Sequence, residues 1–217
     1  MIKVVLFDLD GTLINSAIQL VDTLNLLRKQ YKLEPLPFNK VRPYASDGAA
    51  GLVKYGFDMK KDDPLFEDRV SRYLQIYTTL FNQNVQCMKG IDALIEKLDF
   101  HQVTWGIVTN KSKIFAEPIV RTHPILNRSQ CLVCGDGVTK PKPSPESLLK
   151  ALNILNCDPN ESIYLGDDRR DVIAANDAGM VSVIASYGYL DEGEDGKDWG
   201  AHYMIDEPLE LLNYLND

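Results

Sequence analysis

The chain has 217 residues, 45% of them hydrophobic, and a formal net charge of −8. This length and apolar content suit a single domain or a core with a small insert, and no apolar run approaches the roughly twenty residues of a membrane span. The negative charge opposes binding to nucleic acid or an anionic membrane, and the N-terminus lacks the basic and then apolar pattern of a signal peptide. We therefore expect a cytoplasmic protein that binds neither nucleic acid nor membrane.

The first thirteen residues carry the strongest signal. An apolar run over residues 2–7, interrupted only by Lys3, has the composition of a strand buried on both faces. It ends at Asp8 and Asp10, which alternation along an extended chain turns to the same side, and Gly11 permits a sharp exit. Because two carboxylates this close repel each other, we expect a divalent cation that prefers oxygen ligands, most simply Mg²⁺, between them.

The remaining chain divides into a helical block and an alternating block. Apolar spacing predicts only helices over residues 15–83, at 17–33, 49–55 and 64–82, with a break at 42–48. From residue 84 onward, strands and helices alternate. The strands are predicted at 103–108, 131–134, 162–166 and 180–185, and the helices at 91–98, 112–122, 146–155, 172–178 and 208–215. An acidic, glycine-rich segment at 187–199 is expected to be a solvent-exposed loop.

The segment Asp8-Leu9-Asp10-Gly11-Thr12-Leu13 resembles the first motif of the haloacid dehalogenase superfamily of phosphohydrolases. Later segments follow in the order of the family's other motifs, and among members with a helical cap the chain is most similar to the phosphoglycolate phosphatase group. The resemblance implies an α/β fold, in which a Rossmann-like doubly wound parallel sheet forms a catalytic core from residues 1–14 and 84–217. It also implies an inserted all-helical cap domain over 15–83, which would close over the first motif, exclude water and select the leaving group.

Two further segments place polar groups where this family binds phosphate. Thr109 and Asn110 follow a predicted strand, and the resemblance to the second motif implies that the Thr109 hydroxyl and the Asn110 N–H bind a phosphoryl oxygen. Within the predicted cap, Ser46 and Gly48 lie in a polar loop before a helix. Such a loop offers N–H groups to an anion and faces the substrate in the resembling phosphatases, but it is equally typical of an ordinary helix cap.

The third and fourth motifs each leave an alternative open. Lys142 matches the third-motif lysine because Lys-Pro-x-Pro-Glu reproduces its spacing into the next helix, and Lys140 is the rival. After the strand predicted at 162–166, Asp167 is the expected direct metal ligand. Asp168 and Asp171 remain candidates, and Asp171 is expected to act through water or by orienting Lys142.

The resemblance implies a Mg²⁺-dependent phosphatase that cleaves a small-molecule phosphate monoester, phosphoglycolate-like or a sugar phosphate. Asp8 would be the nucleophile that forms an aspartyl-phosphate, Mg²⁺ would be held by Asp8, Asp167 and the Asp10 main-chain carbonyl, and Lys142 and Thr109 would complete the phosphate cradle. The Asp10 side chain would donate and then accept a proton. A departing halide needs no proton, so this second aspartate favours phosphate esters over haloacids.

Two alternatives remain at this stage. A phosphoryl-transferring mutase of the β-phosphoglucomutase type uses the same core residues and the same style of cap. A non-catalytic binding protein on the same scaffold would be expected to have lost an aspartate or the lysine, whereas Asp8, Asp10 and Lys142 are all present. Incubation with a sugar 1-phosphate separates the first two activities, since a phosphatase releases inorganic phosphate and a mutase isomerises the sugar phosphate.

Overall fold

The computed structural model describes residues 1–190 and 195–215. Residues 191–194 of the predicted exposed loop therefore lie outside the described residues. The chain divides into two compact units, Met1–Asn15 with Gln86–Asp217, here called the core unit, and Ser16–Val85, here called the helical unit. The sequence predicts the helical block at residues 15–83.

The core unit is built on a parallel sheet. Within the described residues it has six strands: β1 (Val4–Phe7), β2 (Thr104–Val108), β3 (Leu132–Val133), β4 (Ser162–Gly166), β5 (Val181–Ala185) and β6 (Tyr203–Ile205). Their order is β3-β2-β1-β4-β5-β6, and every neighbouring pair is parallel. The predicted doubly wound α/β fold is confirmed, and β6 is a strand that the sequence pattern does not predict.

The helical unit contains four α-helices among its described residues: α1 (Ala17–Gln30), α2 (Phe38–Val41), α3 (Gly48–Phe57) and α4 (Phe66–Tyr77). The helix predicted at 17–33 ends early because Lys32 adopts a left-handed conformation with φ of 57°. The predicted break at 42–48 is a 3₁₀ helix over Arg42–Asp47, and α2 was not predicted. Within this unit the Tyr73 hydroxyl donates to the Leu20 carbonyl at 2.9 Å, which ties α4 to α1.

Four helices connect the strands of the core unit: α5 (Ile91–Phe100), α6 (Lys113–Thr122), α7 (Glu146–Leu155) and α8 (Arg169–Ala178). Helices α7 and α8 pack on the sheet face that carries Val4 and Leu6. The helix predicted at 208–215 is instead a 3₁₀ helix over Pro208–Tyr214. Its buried residues Pro208 and Leu211 are three positions apart, which matches the three residues per turn of that helix.

The strand register brings three strand ends together. β1 lies between β2 and β4, and Phe7 is paired with Ile107 on one side and with Leu165 on the other. The residues that follow these strands therefore leave the sheet at the same carboxyl edge, where open α/β sheets bind ligands. No helix in the described part of the chain is long and apolar enough to cross a membrane.

Candidate active site

The turn after β1 lies against the end of β4. Gly11 has φ of +83°, a conformation that favours glycine, and a Cβ at this position would overlap the Asp167 carboxylate. The Gly11 N–H donates to the Ile14 carbonyl at 2.9 Å, and the Asp8 N–H donates to the Leu165 carbonyl at 2.9 Å. A side chain larger than hydrogen at Gly11 would therefore separate the turn from Asp167.

Three carboxylates converge at this edge of the sheet. Asp8, Asp167 and Asp171 each offer an oxygen, and these oxygens lie within 4.8 Å of one another. Burial, together with the charge of Asp8, raises the pKa of Asp167 well above its ordinary value. Burial also raises the pKa of Asp8 to about 6, although Lys142 opposes this shift. Buried carboxylates that destabilise one another's charge are suited to a hard divalent cation, which prefers oxygen ligands.

Lys142 provides a buried positive charge beside this cluster. Its Nζ lies 2.9 Å from Asp8 Oδ1 and 2.7 Å from Asp171 Oδ1. The ammonium also donates to the Tyr164 hydroxyl at 2.7 Å and to the Val108 carbonyl at 3.2 Å. Burial opposes the charge of Lys142, but Asp171 and Asp8 outweigh it, so the pKa of the ammonium lies above its ordinary value.

The rival lysine occupies a different environment. Lys140 is exposed, and its backbone N–H donates to Glu146 at the start of α7 at 2.9 Å. Lys142 has only 4% of its surface exposed. Of the two lysines, the structure thus brings Lys142 into contact with Asp8.

The end of β2 brings Thr109 and Asn110 to the same region. Thr109 is buried, and its Oγ1 accepts a hydrogen bond from the Lys111 N–H at 3.1 Å. The Asn110 side chain donates to the Lys142 carbonyl at 2.8 Å and accepts from the Lys142 N–H at 3.0 Å. The sequence predicts a role for the Asn110 backbone N–H, and the structure shows that the Asn110 side chain also holds the segment that carries the lysine.

The acidic run after β4 separates into different positions. Asp168 is the N-cap of α8, where it accepts from the Arg170 N–H at 2.8 Å, and its own N–H donates to Asp171 at 3.1 Å. This reciprocal arrangement is a capping box. Asp168 also forms an ion pair with Arg170 at 2.6 Å and is not part of the carboxylate cluster. Asp167 and Asp171 are therefore the members of the run that lie beside Asp8.

The remaining candidates are Asp10, Ser46 and Gly48. The Asp10 carboxylate forms an ion pair with Lys111 at 2.9 Å in the core unit. Ser46 lies in the 3₁₀ helix of the helical unit, and Gly48 is the first residue of α3, with φ of +64°. The N-cap of α3 is Asp47, and its side chain makes no capping hydrogen bond.

Four residues of this region were missed as site residues. The Thr12 hydroxyl donates to one Asp167 oxygen at 2.9 Å, and the Tyr189 N–H donates to the other at 2.8 Å. The Tyr164 hydroxyl contacts Lys142, and the Lys111 ammonium pairs with Asp10. Tyr189 is 2% exposed, so the prediction of an exposed loop is wrong at that residue. Gly188 permits this approach, because a Cβ there would overlap Asp167.

The signals for these residues were weak in the sequence. Thr12 follows the first acidic motif directly, and Lys111 follows Thr109 by two residues, so proximity to a motif was the available indication. Tyr164 lies inside a buried strand, where a tyrosine is normally read as apolar packing. Tyr189 comes to the site from an acidic loop, and no local pattern predicts that long-range contact.

The fold and the site define an α/β protein with buried carboxylates and a lysine at the carboxyl edge of a parallel sheet. The chain belongs to the haloacid dehalogenase-like hydrolase family, whose model matches residues 5–185. It is 35% identical to an N-acetylmuramic acid 6-phosphate phosphatase of Pseudomonas aeruginosa over 99% of this chain and 95% of that protein. It is 32% identical to a phosphoglycolate phosphatase of Xanthomonas campestris over 96% of this chain and 94% of that protein.

Solved structures show the same fold. The crystal structure of a predicted phosphoglycolate phosphatase from Haemophilus somnus superposes with a TM-score of 0.84 and 23% sequence identity, covering 98% of this chain and 97% of that one. CbbY from Rhodobacter sphaeroides, crystallised in complex with phosphate, superposes with a TM-score of 0.75 and 23% identity over 97% of this chain and 96% of that one.

Proposed function

We propose that this protein is a Mg²⁺-dependent phosphatase that hydrolyses a small-molecule phosphate monoester through an aspartyl-phosphate on Asp8. The observation that carries the proposal is the Lys142 ammonium, which lies 2.9 Å from Asp8 Oδ1 and 2.7 Å from Asp171 Oδ1 beside the buried Asp167. Phosphoryl transfer needs a nucleophile, neutralised phosphoryl oxygens and a proton for the leaving oxygen. This group of side chains offers all three when Asp10 is included.

The proposed reaction has two halves. In the first, an Asp8 oxygen attacks phosphorus, the bond from phosphorus to the ester oxygen breaks, and Asp10 gives a proton to the departing alkoxide. In the second, water attacks phosphorus, the bond to Asp8 breaks, and Asp10 takes the proton of the water. Throughout, Lys142, the Thr109 hydroxyl and the Asn110 N–H hold the phosphoryl oxygens.

The proposed metal ligands are Asp8, Asp167 and the Asp10 main-chain carbonyl. When bound, Mg²⁺ would shield the charge of the nucleophile and orient the phosphoryl group. Supporting this set, Asp167 is held at both oxygens by Thr12 and the Tyr189 N–H, which fixes its orientation. Asp171 is proposed to orient Lys142, since its Oδ1 contacts the ammonium.

We further propose that the substrate carries a carboxylate as well as the phosphate. The two relatives described above are named for N-acetylmuramic acid 6-phosphate and for phosphoglycolate, and both of these esters have a carboxylate in the leaving group. The helical unit is proposed as the cap that selects the leaving group, with the loop around Ser46 and Gly48 as the contacting segment.

The test is phosphate release from a set of esters, with Mg²⁺ and with a chelator. The set includes phosphoglycolate, N-acetylmuramic acid 6-phosphate, the neutral analogue 2-hydroxyethyl phosphate and a sugar 1-phosphate. We expect Mg²⁺-dependent release that is fastest with the carboxylate-bearing esters, and no release by the folded Asp8→Asn variant. Near-normal turnover by that variant would contradict the proposal, and isomerisation of the sugar 1-phosphate without release would identify a mutase.

A further inference from the structure

The core unit contains a second enclosed lysine that the reaction described above does not use. Lys111 follows β2, and its Nζ lies 2.9 Å from Asp10 Oδ1 and 3.1 Å from Asp10 Oδ2. The Lys111 side chain is 9% exposed and that of Asp10 is 17% exposed. A contact to both oxygens restricts rotation of the carboxylate more than a contact to one oxygen would.

The backbone around Lys111 is also held. Its N–H donates to Thr109 Oγ1 at 3.1 Å, and its carbonyl accepts from the Gly135 N–H at 3.2 Å. A Cβ at Gly135 would overlap the Asn110 backbone, so the two segments pack closely. The lysine is therefore presented from a fixed loop, which limits the rotamers from which its ammonium can reach Asp10.

The two lysines serve different carboxylates. Lys142 contacts Asp8 and Asp171, whereas Lys111 contacts Asp10. Asp8 is the proposed nucleophile and Asp10 the proposed proton carrier. A group that exchanges a proton must be held within a fraction of an ångström of its working position.

We propose that Lys111 is a positioning residue that holds the Asp10 carboxylate for the attack of water on the aspartyl-phosphate. This inference rests on the proposed function. In that step the water oxygen bonds to phosphorus, the bond from phosphorus to Asp8 breaks, and Asp10 accepts the proton of the water. Lys111 contacts neither phosphorus nor water; it fixes the orientation of the group that does.

The test is pre-steady-state hydrolysis of p-nitrophenyl phosphate by Lys111→Met. The p-nitrophenolate leaves without needing a proton, so the variant should still form the aspartyl-phosphate. Hydrolysis of the aspartyl-phosphate should become slow, because it needs a correctly oriented Asp10. We expect a burst of p-nitrophenolate equal to the concentration of active sites, followed by a steady rate about 10- to 100-fold below that of the wild type. This loss is smaller than most of the roughly 100- to 10,000-fold that acid–base catalysis contributes, because Asp10 itself is retained. Lys111→Arg keeps a cation, and its steady rate should lie between those of the wild type and Lys111→Met.

The matched control is Lys97→Met, which changes an exposed lysine of α5 in the same unit and should behave as wild type. Wild-type steady-state turnover by Lys111→Met would overturn the inference. The absence of a burst, with formation and hydrolysis of the aspartyl-phosphate slowed equally, would also overturn it, provided that circular dichroism shows the variant to be folded. If Lys111→Met does not fold, wild-type kinetics in a folded Lys111→Gln variant overturn the inference and the burst supports it.

A further outcome separates positioning from direct substrate binding. A raised KM for phosphoglycolate with unchanged hydrolysis of p-nitrophenyl phosphate would mean that Lys111 binds the substrate carboxylate, and this too would overturn the inference. Failure of the proposed function is distinguishable from all of these results, because the wild-type protein itself would then release no phosphate from either ester.

Discussion

At the scale of single residues, Lys142 is the group on which the site depends. It is enclosed by the carboxylates of Asp8 and Asp171, the Tyr164 hydroxyl and a strand carbonyl, and of the two carboxylates Asp171 is buried and Asp8 is 14% exposed. Removing one partner of such a buried set costs much more than removing one partner of an exposed ion pair, because an uncompensated charge remains.

Replacement of Lys142 by methionine should therefore affect both stability and activity. With a chelator present at neutral pH, we expect Lys142→Met to lower the free energy of unfolding by about 3 kcal/mol, because Asp8 and Asp171 lose their common cation. Phosphate release should also be lost. The measurement is urea unfolding together with phosphate release.

The control for that variant is Lys140→Met. Lys140 is exposed two residues away, and its change should alter stability by no more than about 0.5 kcal/mol. Equal effects of the two substitutions on the free energy of unfolding would mean that the Lys142 ammonium does not stabilise Asp8 and Asp171.

The sequence left the choice between these two lysines open for a physical reason. Both lie in the same proline-rich segment, and local spacing does not say which ammonium points inward. The Lys142 backbone is held by a long-range contact, since the Asn110 side chain binds both its N–H and its carbonyl, whereas the Lys140 N–H is bound locally by Glu146. No local sequence pattern predicts the distant contact between Asn110 and Lys142.

At the scale of elements, the turns after the strands determine how closely the carboxylates approach. The turn after β1 depends on Gly11, which has a positive φ and packs against Asp167. The start of α8 depends on the Asp168 capping box, which fixes the helix end that presents Asp171. The two features therefore set where the Asp167 and Asp171 carboxylates lie.

A substitution at Gly11 tests this dependence. We expect Gly11→Ala to destabilise the protein by more than about 1 kcal/mol, since alanine is strained at this φ and its Cβ would overlap Asp167. The matched control is Gly137→Ala, because a Cβ at Gly137 meets nothing within 4 Å. Thermal unfolding of both variants decides the matter, and a Gly11→Ala protein as stable as Gly137→Ala would be evidence against the close approach.

Elements with strong local signals were predicted well. The strand at 162–166 and the helix at 146–155 match β4 and α7 in their bounds, because a buried apolar run and a proline before a helix are clear signals. β6 has three residues at the end of the sheet, too few for a periodic pattern. The early end of α1 depends on the left-handed backbone conformation of Lys32, which apolar spacing does not predict.

At the scale of the whole molecule, the chain is an α/β core interrupted by a helical insert. The two ends of the insertion meet within the core unit, where the Asn15 N–H donates to the Gln86 carbonyl at 2.9 Å and the Met88 N–H donates to the Leu13 carbonyl at 2.8 Å. An insertion with adjacent ends leaves the sheet order undisturbed. The role of this insert as a substrate-selecting cap stays a prediction.

Metal binding should be visible in the stability of the whole protein. A cation that binds the folded carboxylate cluster and not the unfolded chain raises the free energy of unfolding by about 2.7 kcal/mol at 100 times its Kd. We expect Mg²⁺ to raise the melting temperature of the wild type and to have little effect on Asp167→Asn. The measurement is the melting temperature from scanning calorimetry at increasing Mg²⁺ concentrations.

Asp168→Asn is the control, since asparagine preserves the N-cap and Asp168 lies outside the carboxylate cluster. This variant should keep the Mg²⁺ response of the wild type. A response lost in Asp168→Asn and retained in Asp167→Asn would reverse the assignment of the metal ligand.

If the proposed reaction is right, Asp8 carries the phosphoryl group during turnover. This is measured most directly by mass spectrometry of peptides from Asp10→Asn protein quenched in acid during turnover of p-nitrophenyl phosphate. The substitution slows the second half of the reaction, whereas the first half proceeds because p-nitrophenolate leaves without a proton. We expect a phosphate on the peptide that contains Asp8, and none on the same peptide from Asp8→Asn. Turnover with no phosphorylated peptide, or with phosphate on a different residue, would contradict the proposed reaction.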